Sequence, residues 1–196
     1  MKEAKWINQD FKSTHPRGNE DEIESFYNDL SLSEHIKFII SVLNGINYQV
    51  NVPIREIIDP LGHAVRATYM YSGMADLYSE TGDITLLEAL NRIWQRIVKA
   101  KMYISGGIGS RKGIEGLEKD FKLKKEKSYS ETCAAIGNMM WNWRMLQITA
   151  DCKFADLIER LMYNAMLVGQ SIDGKSFTYV NPLISKGDEK RHEWFL

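Results

Sequence analysis

The stretch KSYSETCAAIGNMMWNWRM, Lys127–Met145, decides the fold. From about Ser130 to Ile148 it predicts a helix that is apolar on more than one side, which is the pattern of a buried helix. Thr149-Ala150-Asp151 ends it. Lys153–Val168 then predicts an amphipathic helix, with Phe154, Leu157, Ile158, Leu161, Met162 and Ala165 on the inner face. The same order occurs upstream. Asp59-Pro60 marks a helix start, and a largely apolar helix with many small residues runs to about Glu80. Thr81-Gly82-Asp83 stops it, and Ile84–Lys101 carries Leu87, Leu90, Ile93, Trp94, Ile97 and Val98 on one face. An apolar helix, a Thr-[Gly/Ala]-Asp turn and an amphipathic helix therefore occur twice. Repeated helical hairpins point to an αα-repeat architecture, with buried helices as an inner ring and amphipathic ones as an outer ring. A helical bundle that happens to repeat a turn is the other reading.

The rest of the chain is arranged around these hairpins. Met1–Glu20 is polar, with Pro16, Gly18 and Asn19 as breakers, and reads as an arm. Asp21–Leu30 predicts a short helix. Ser33–Leu43 predicts a better one, capped by Ser33 and stopped by Gly45. Tyr48–Pro60 reads as extended or loop. Tyr103–Ser110, YISGGIGS, suits a loop whose backbone passes close to something. Arg111–Lys127 is densely charged and reads as solvated. Beyond Gly169 the period changes: Ser176–Val180 predicts a short strand, Asn181-Pro182 a turn and Gly187–Arg191 a charged loop. The expected fold class is all-α with a short β and loop segment at the C-terminal end. Residues 1–45 form a separate N-terminal segment and residues 46–196 the helical domain.

Composition removes several function classes. The 196 residues are 44% hydrophobic and 26% charged, with a net charge of −1. That balance provides no basic field for nucleic acid. No apolar run approaches the roughly 20 residues of a membrane span, and the first residues, MKEAKWINQDFK, lack an apolar stretch long enough for a secretory signal. Two cysteines, Cys133 and Cys152, make no disulfide framework. A cytoplasmic, reducing setting is expected.

Several side chains could carry chemistry. Glu131-x-Cys133 pairs a carboxylate with a thiol, a donor set that suits zinc. A helix N-terminus would lower the thiol pKa. Residues two apart on a helix point in different directions, so both reach one metal only if Glu131 precedes the regular helix. Against this, Ser128-x-x-Glu131 could be a capping box, and Cys133 a small buried hydrophobe. His63, expected in the first helical turn after Gly62, is a ligand-contacting histidine or a structural one. Glu115 and Glu118, after the glycine loop, are general acid/base candidates or solvated charges. The run Met140-Trp141-Asn142-Trp143 is core or a stacking surface for a sugar.

Taken together, Gly62-His-Ala-Val-Arg66, Met102-Tyr-Ile-Ser-Gly-Gly-Ile-Gly-Ser110, Tyr129-Ser-Glu-Thr-Cys-Ala134 and Trp141-Asn-Trp143 resemble glycoside hydrolase family 127, the β-L-arabinofuranosidase family. Val52-Pro-Ile-Arg-Glu56 and Tyr163-Asn164 resemble it too. The resemblance covers about Asn47 onward. It implies a catalytic domain that is an (α/α)6 toroid, here a partial one. It also implies a retaining mechanism, with a zinc-bound cysteine thiolate as nucleophile and a glutamate as acid/base. The metal in that family is held by one glutamate and three cysteines. Glu131 and Cys133 would be the first two ligands, His63 a substrate-binding residue and Glu115 the catalytic acid/base, with Glu118 as a fallback.

Two departures accompany the resemblance. Ser110-Arg-Lys-Gly-Ile-Glu115 stands where the family has Thr-His-Val-Gly between the serine and its acid/base. The family also continues past a Trp-Phe like Trp194-Phe195 into a Cys-x-Cys-Cys-Pro cluster that supplies the nucleophile and remaining ligands. The expectation is therefore a hydrolase fragment that is inactive alone, holds an incomplete zinc site and takes a carbohydrate substrate. The alternatives are a noncatalytic piece that assembles with a separately encoded remainder, or another sugar-processing α/α-toroid protein.

Overall fold

The computed structural model describes residues 31–125, 128–185, 187 and 191–193. The chain forms two compact units, Met1–Ile36 and Lys37–Leu196. Of the first, the described residues enter helix α1, Leu32–Leu43, so Ser33 lies inside the first turn rather than capping it. The polar arm, the helix expected over Asp21–Leu30 and the Trp194-Phe195-Leu196 end lie outside the described residues.

The second unit is built on four helices: α2, Ala64–Thr81; α3, Ile84–Ala100; α4, Thr132–Thr149; and α5, Cys152–Leu161. They form two hairpins whose connecting turns match bond for bond. In the first, the Thr81 hydroxyl donates to the Leu77 carbonyl at 2.7 Å and accepts from the Asp83 N–H at 3.2 Å. The Asp83 carboxylate then caps α3 by accepting from the Thr85 N–H at 3.0 Å. In the second, Thr149 bonds the Met145 carbonyl at 2.8 Å and the Asp151 N–H at 3.3 Å, and Asp151 accepts from the Lys153 N–H at 3.1 Å. Gly82 and Ala150 hold the left-handed position between them, at φ 68° and 52°.

Helix α2 packs along α4, and each is backed by its hairpin partner. Tyr71 and Trp141, both fully buried, stack at the α2–α4 seam with ring centroids 4.8 Å apart. A Cβ at Gly137 would collide with the Thr68 hydroxyl, so these helices approach at a position where no side chain fits. The outer helices meet through Trp94 and Phe154, edge to face at 5.0 Å. The Trp94 indole N–H donates to Asn142 at 2.7 Å, and Asn142 donates to the Asn138 carbonyl at 2.7 Å and to its side-chain oxygen at 2.9 Å, which leaves the Asn138 amide nitrogen as the buried group without a partner among the described residues. Of the face expected on α3, Leu90, Ile93 and Ile97 are buried and Leu87, Trp94 and Val98 are half-buried; Leu86, not expected there, is fully buried. On the far side of α2 and α4, Tyr69, Leu77, Met140 and Trp143 remain exposed, joined across the seam by Arg144 on Asp76 at 2.8 Å. Among the described residues these helices are thus covered on one broad side only.

Four local expectations are corrected. Helix α2 starts at Ala64, not after Asp59-Pro60, because Gly62 sits at φ 85° in a two-residue strand, β1, Gly62–His63. The segment after Ser110 is not simply solvated. Gly113, Ile114, Gly116 and Leu117 are buried, and β2, Gly116–Leu117, pairs antiparallel with β1. Helix α5 ends at Leu161 and loosens into a π turn, Met162–Met166, and a 3-10 turn, Leu167–Gly169. Finally β3, Ser176–Thr178, pairs antiparallel with β4, Arg191–Glu193, which falls where a charged loop was expected to end. Among the described residues no helix is long and apolar enough to cross a membrane.

Candidate active site

The site is assembled on the β1–β2 ribbon. Its register sets His63 opposite Gly116, and the Ala64 N–H donates to the Glu115 carbonyl at 3.0 Å. Glu115 itself takes a left-handed backbone, φ 48°, after a 3-10 turn at Lys112–Ile114. A non-glycine residue held there is a strain of the kind that collects at functional sites. The ribbon brings His63 Nε2 to 3.2 Å from Glu115 Oε2. On the other carboxyl oxygen, the Tyr129 hydroxyl donates at 2.7 Å, and the Tyr179 hydroxyl approaches to 3.5 Å. Burial pulls Glu115 upward, but the His63 and Tyr129 hydrogen bonds outweigh it and hold this carboxyl below its ordinary range. The same crowding raises both phenols, chiefly through burial and next through the nearby carboxylates. His63 Nδ1 is buried without a partner among the described residues. His63 is the residue just before α2, in β1, its side chain making no capping bond, and it does not lie in the first helical turn.

The front of α4 supplies the second half. Glu131 is the residue before the helix, with extended backbone at φ −68° and ψ 150°, and its side chain bonds no helical N–H. The capping-box reading of Ser128-x-x-Glu131 is thereby excluded: the glutamate would have to sit three residues into the helix. Because Glu131 precedes the regular helix, the geometric objection to a shared ligand with Cys133 falls away. The segment from Thr178 to Asn181 clamps this start. The Thr132 N–H donates to the Tyr179 carbonyl at 3.0 Å and the Thr132 hydroxyl to the Thr178 carbonyl at 2.8 Å. From below, the Ser130 N–H donates to the Gly109 carbonyl at 2.9 Å, and a Cβ at Gly107 would collide with the Ser130 hydroxyl. The expected close passage of the glycine loop is thus found, and what it passes is the start of α4.

Glu131 is 1% exposed, and neither carboxyl oxygen has a hydrogen-bond partner within bonding geometry among the described residues. Burial, and then the charge on Glu115, push it up to about 8, with Tyr179 pulling weakly the other way. Tyr179 acts here as a nearby dipole rather than a formed hydrogen bond. Cys133 corrects an expectation. Its thiol is pushed up to about 11 by burial, then by Glu131 and Glu115, against a backbone hydrogen bond that lowers it. Two carboxylates and desolvation thus win over the helix N-terminus.

An orphaned buried carboxylate beside a raised thiol is a donor pair that a soft divalent cation would satisfy. The zinc implied by the resemblance therefore fits Glu131 and Cys133 as two of its ligands. Among the described residues no three His, Cys, Asp or Glu side chains are grouped to hold a metal. Cys152 is exposed at the start of α5, beyond the far end of α4, an 18-residue helix of roughly 27 Å. Glu118 lies apart, bonded to the Lys119 N–H at 3.0 Å and near Arg111. Trp141 is core and Trp143 is exposed. Tyr129 and Tyr179 were not foreseen, because lone tyrosines in a sequence carry no mark that distinguishes a carboxyl partner from a core residue.

The model of the β-L-arabinofuranosidase GH127 catalytic domain matches residues 21–195. A non-reducing end β-L-arabinofuranosidase of Bifidobacterium longum subsp. longum is 35% identical over 141 residues, 72% of this chain and 21% of that protein. A solved GH127 β-arabinofuranosidase superposes with a TM-score of 0.74 at 45% identity, covering 76% of this chain and 24% of its own. A GH127 β-L-arabinofuranosidase of Geobacillus stearothermophilus T6 gives 0.69 at 44%, covering 70% and 22%. The chain spans about a fifth to a quarter of the length of these relatives. With its mostly helical fold and a family match over residues 21–195, this chain belongs to the GH127 β-L-arabinofuranosidase family.

Proposed function

We propose that the chain contributes the acid/base side of a retaining furanosidase site acting on β-L-arabinofuranosides, and that it does not turn substrate over alone. The observation that carries this is the Glu115 carboxyl, held at 3.2 Å by His63 and 2.7 Å by Tyr129 beside the unpartnered Glu131. In this chain His63 and Tyr129 hold Glu115 in its base form, the form that takes a proton from the attacking water; delivery of a proton to the leaving glycosidic oxygen requires that the assembled site and bound sugar raise its pKa. His63 and Tyr129 fix the direction of that carboxyl, and His63 also faces the sugar. Glu131 and Cys133 hold the zinc, which when bound would lower the pKa of a thiol placed on it. The family resemblance assigns the nucleophile to a cysteine of the Cys-x-Cys-Cys-Pro cluster; this reading gives that role neither to Cys133, taken as a ligand, nor to Cys152, exposed beyond the far end of α4.

The same reading makes the four helices a segment of an (α/α)6 toroid. The exposed Tyr69, Leu77, Met140 and Trp143 stripe supports it, because these apolar side chains need cover that the rest of a ring would supply. Assembly with a separately encoded remainder is the second reading, and it would supply the same cover. The test is hydrolysis of an aryl β-L-arabinofuranoside by the purified chain, alone and mixed with a segment carrying the family's Cys-x-Cys-Cys-Pro cluster. Turnover is expected only in the mixture. Robust turnover by the chain alone would overturn the proposal.

A further inference from the structure

The β1–β2 ribbon has a second, unassigned partner. Gln49 follows a 3-10 turn, Ile46–Tyr48, and its side chain is buried. Its Nε2 lies 3.2 Å from the Leu61 carbonyl, 3.4 Å from the His63 carbonyl and 3.4 Å from the Ile46 carbonyl. Two amide protons are thus shared among three carbonyls, two of which bracket Gly62 in β1. The fit is close. A Cβ on Gly62 would collide with the Ile46 carbonyl oxygen and the Gln49 amide. The Arg66 guanidinium, on the first turn of α2, stacks over Tyr48 at 4.6 Å and holds the same turn down. The free edge of β1 is therefore occupied by a side-chain amide where a third strand would otherwise lie.

We infer that Gln49 is a positioning residue for the His63–Glu115 pair. It fixes the β1 backbone on the edge opposite β2, and that backbone carries His63. Through the β1–β2 pairing and the Ala64 N–H on the Glu115 carbonyl, the same constraint reaches the Glu115 backbone. With Gln49 in place, His63 Nε2 stays on Glu115 Oε2. Without it, β1 is held on one edge only, and the 3.2 Å contact opens. The inference rests on the functional reading of His63 and Glu115, but its test does not need turnover.

The test is long-range proton–nitrogen NMR of the His63 ring in the intact chain. Gln49→Leu removes both donors, and Gln49→Met keeps the approximate volume with no hydrogen-bonding amide. Leu86→Ala, buried in α3 away from the ribbon, controls for lost stability. The Gln49 variants are expected to displace the His63 Nε2 signal toward that of a histidine without a carboxylate partner, while Leu86→Ala leaves it in place. A folded Gln49 variant with wild-type His63 signals would overturn the inference, whatever the fate of the glycosidase proposal. If neither variant folds, the wild-type Gln49 amide protons decide. Exchange about tenfold or more slower than that of exposed Gln95 supports the clamp, and equal exchange refutes it.

Discussion

Replacing Glu131 by glutamine should stabilise the metal-free chain, and by an amount that depends on pH in a defined way. In the folded chain this carboxyl is pushed up to about 8 by burial and by Glu115, against an ordinary value of 4.5. Below about pH 4 it is protonated both folded and unfolded and costs nothing. As the pH rises from there to about 8, only the unfolded chain releases the proton, so stability is lost across that window and levels off above it. At pH 7 the gap from 4.5 corresponds to roughly 3 kcal/mol at 1.4 kcal/mol per pH unit, an upper figure for a buried group beside another carboxylate. Glutamine is neutral in both states and occupies the same unpartnered space, so it removes the slope without adding a new burial term. Part of the difference is the Glu115–Glu131 repulsion, which the variant removes together with the charge. Urea unfolding followed by tryptophan fluorescence, at steps from pH 4 to 8, reads the difference directly. The two chains should agree near pH 4 and separate toward pH 8, with Glu131→Gln the more stable. Added zinc should raise the wild-type chain and leave the variant unchanged. Parallel pH profiles would refute the orphaned carboxylate, and with it the reason for assigning a cation to Glu131 and Cys133.

Three further outcomes are expected. Tyr129→Phe removes the 2.7 Å donor from Glu115, so the Glu115 carboxyl should titrate at higher pH, seen by carbon NMR of its side chain. Because the folded value is depressed in the wild type, the variant loses stability above the unfolded carboxyl range and loses little once the pH falls below the folded value. Gly137→Ala should destabilise despite alanine's better helix propensity of about 1 kcal/mol. The clash with Thr68 costs about 1–3 kcal/mol. Adding Thr68→Ala should recover much of the loss in thermal melts. Ala150→Gly should stabilise by about 0.5–1 kcal/mol, because Ala150 holds at φ 52° the place that Gly82 fills in the sister turn.

The helices were legible because their signals are local and repeated. Thr81-Gly82-Asp83 and Thr149-Ala150-Asp151 announce the same turn, and the α3 stripe through Ile93 and Ile97 announces its buried face. The ribbon that carries His63 and Glu115 was not legible. A two-residue strand has no period, and charges around Gly113-Ile114 and Gly116-Leu117 mask a buried pairing. Asp59-Pro60 misled for a related reason: it looks like a helix start, while the left-handed Gly62 prevents one there. At the site, Glu131-x-Cys133 was readable as a donor pair, but the raised thiol was not. Its pKa follows from two carboxylates that meet only in the folded chain. Tyr129 and Tyr179 reach Glu115 across 14 and 64 residues, and Gln49 reaches the β1 carbonyls across 12 and 14, separations that no short motif encodes.

The acid/base role of Glu115 is the centre of the proposed chemistry, and azide rescue tests it most directly. In the chain mixed with the cysteine-cluster segment, Glu115→Gln should lose most turnover of an aryl β-L-arabinofuranoside with a good leaving group. Added azide, which needs no base to activate it, should restore turnover and yield β-L-arabinofuranosyl azide with retained configuration. Full activity of Glu115→Gln, or an activity loss that azide does not touch, would contradict the assignment.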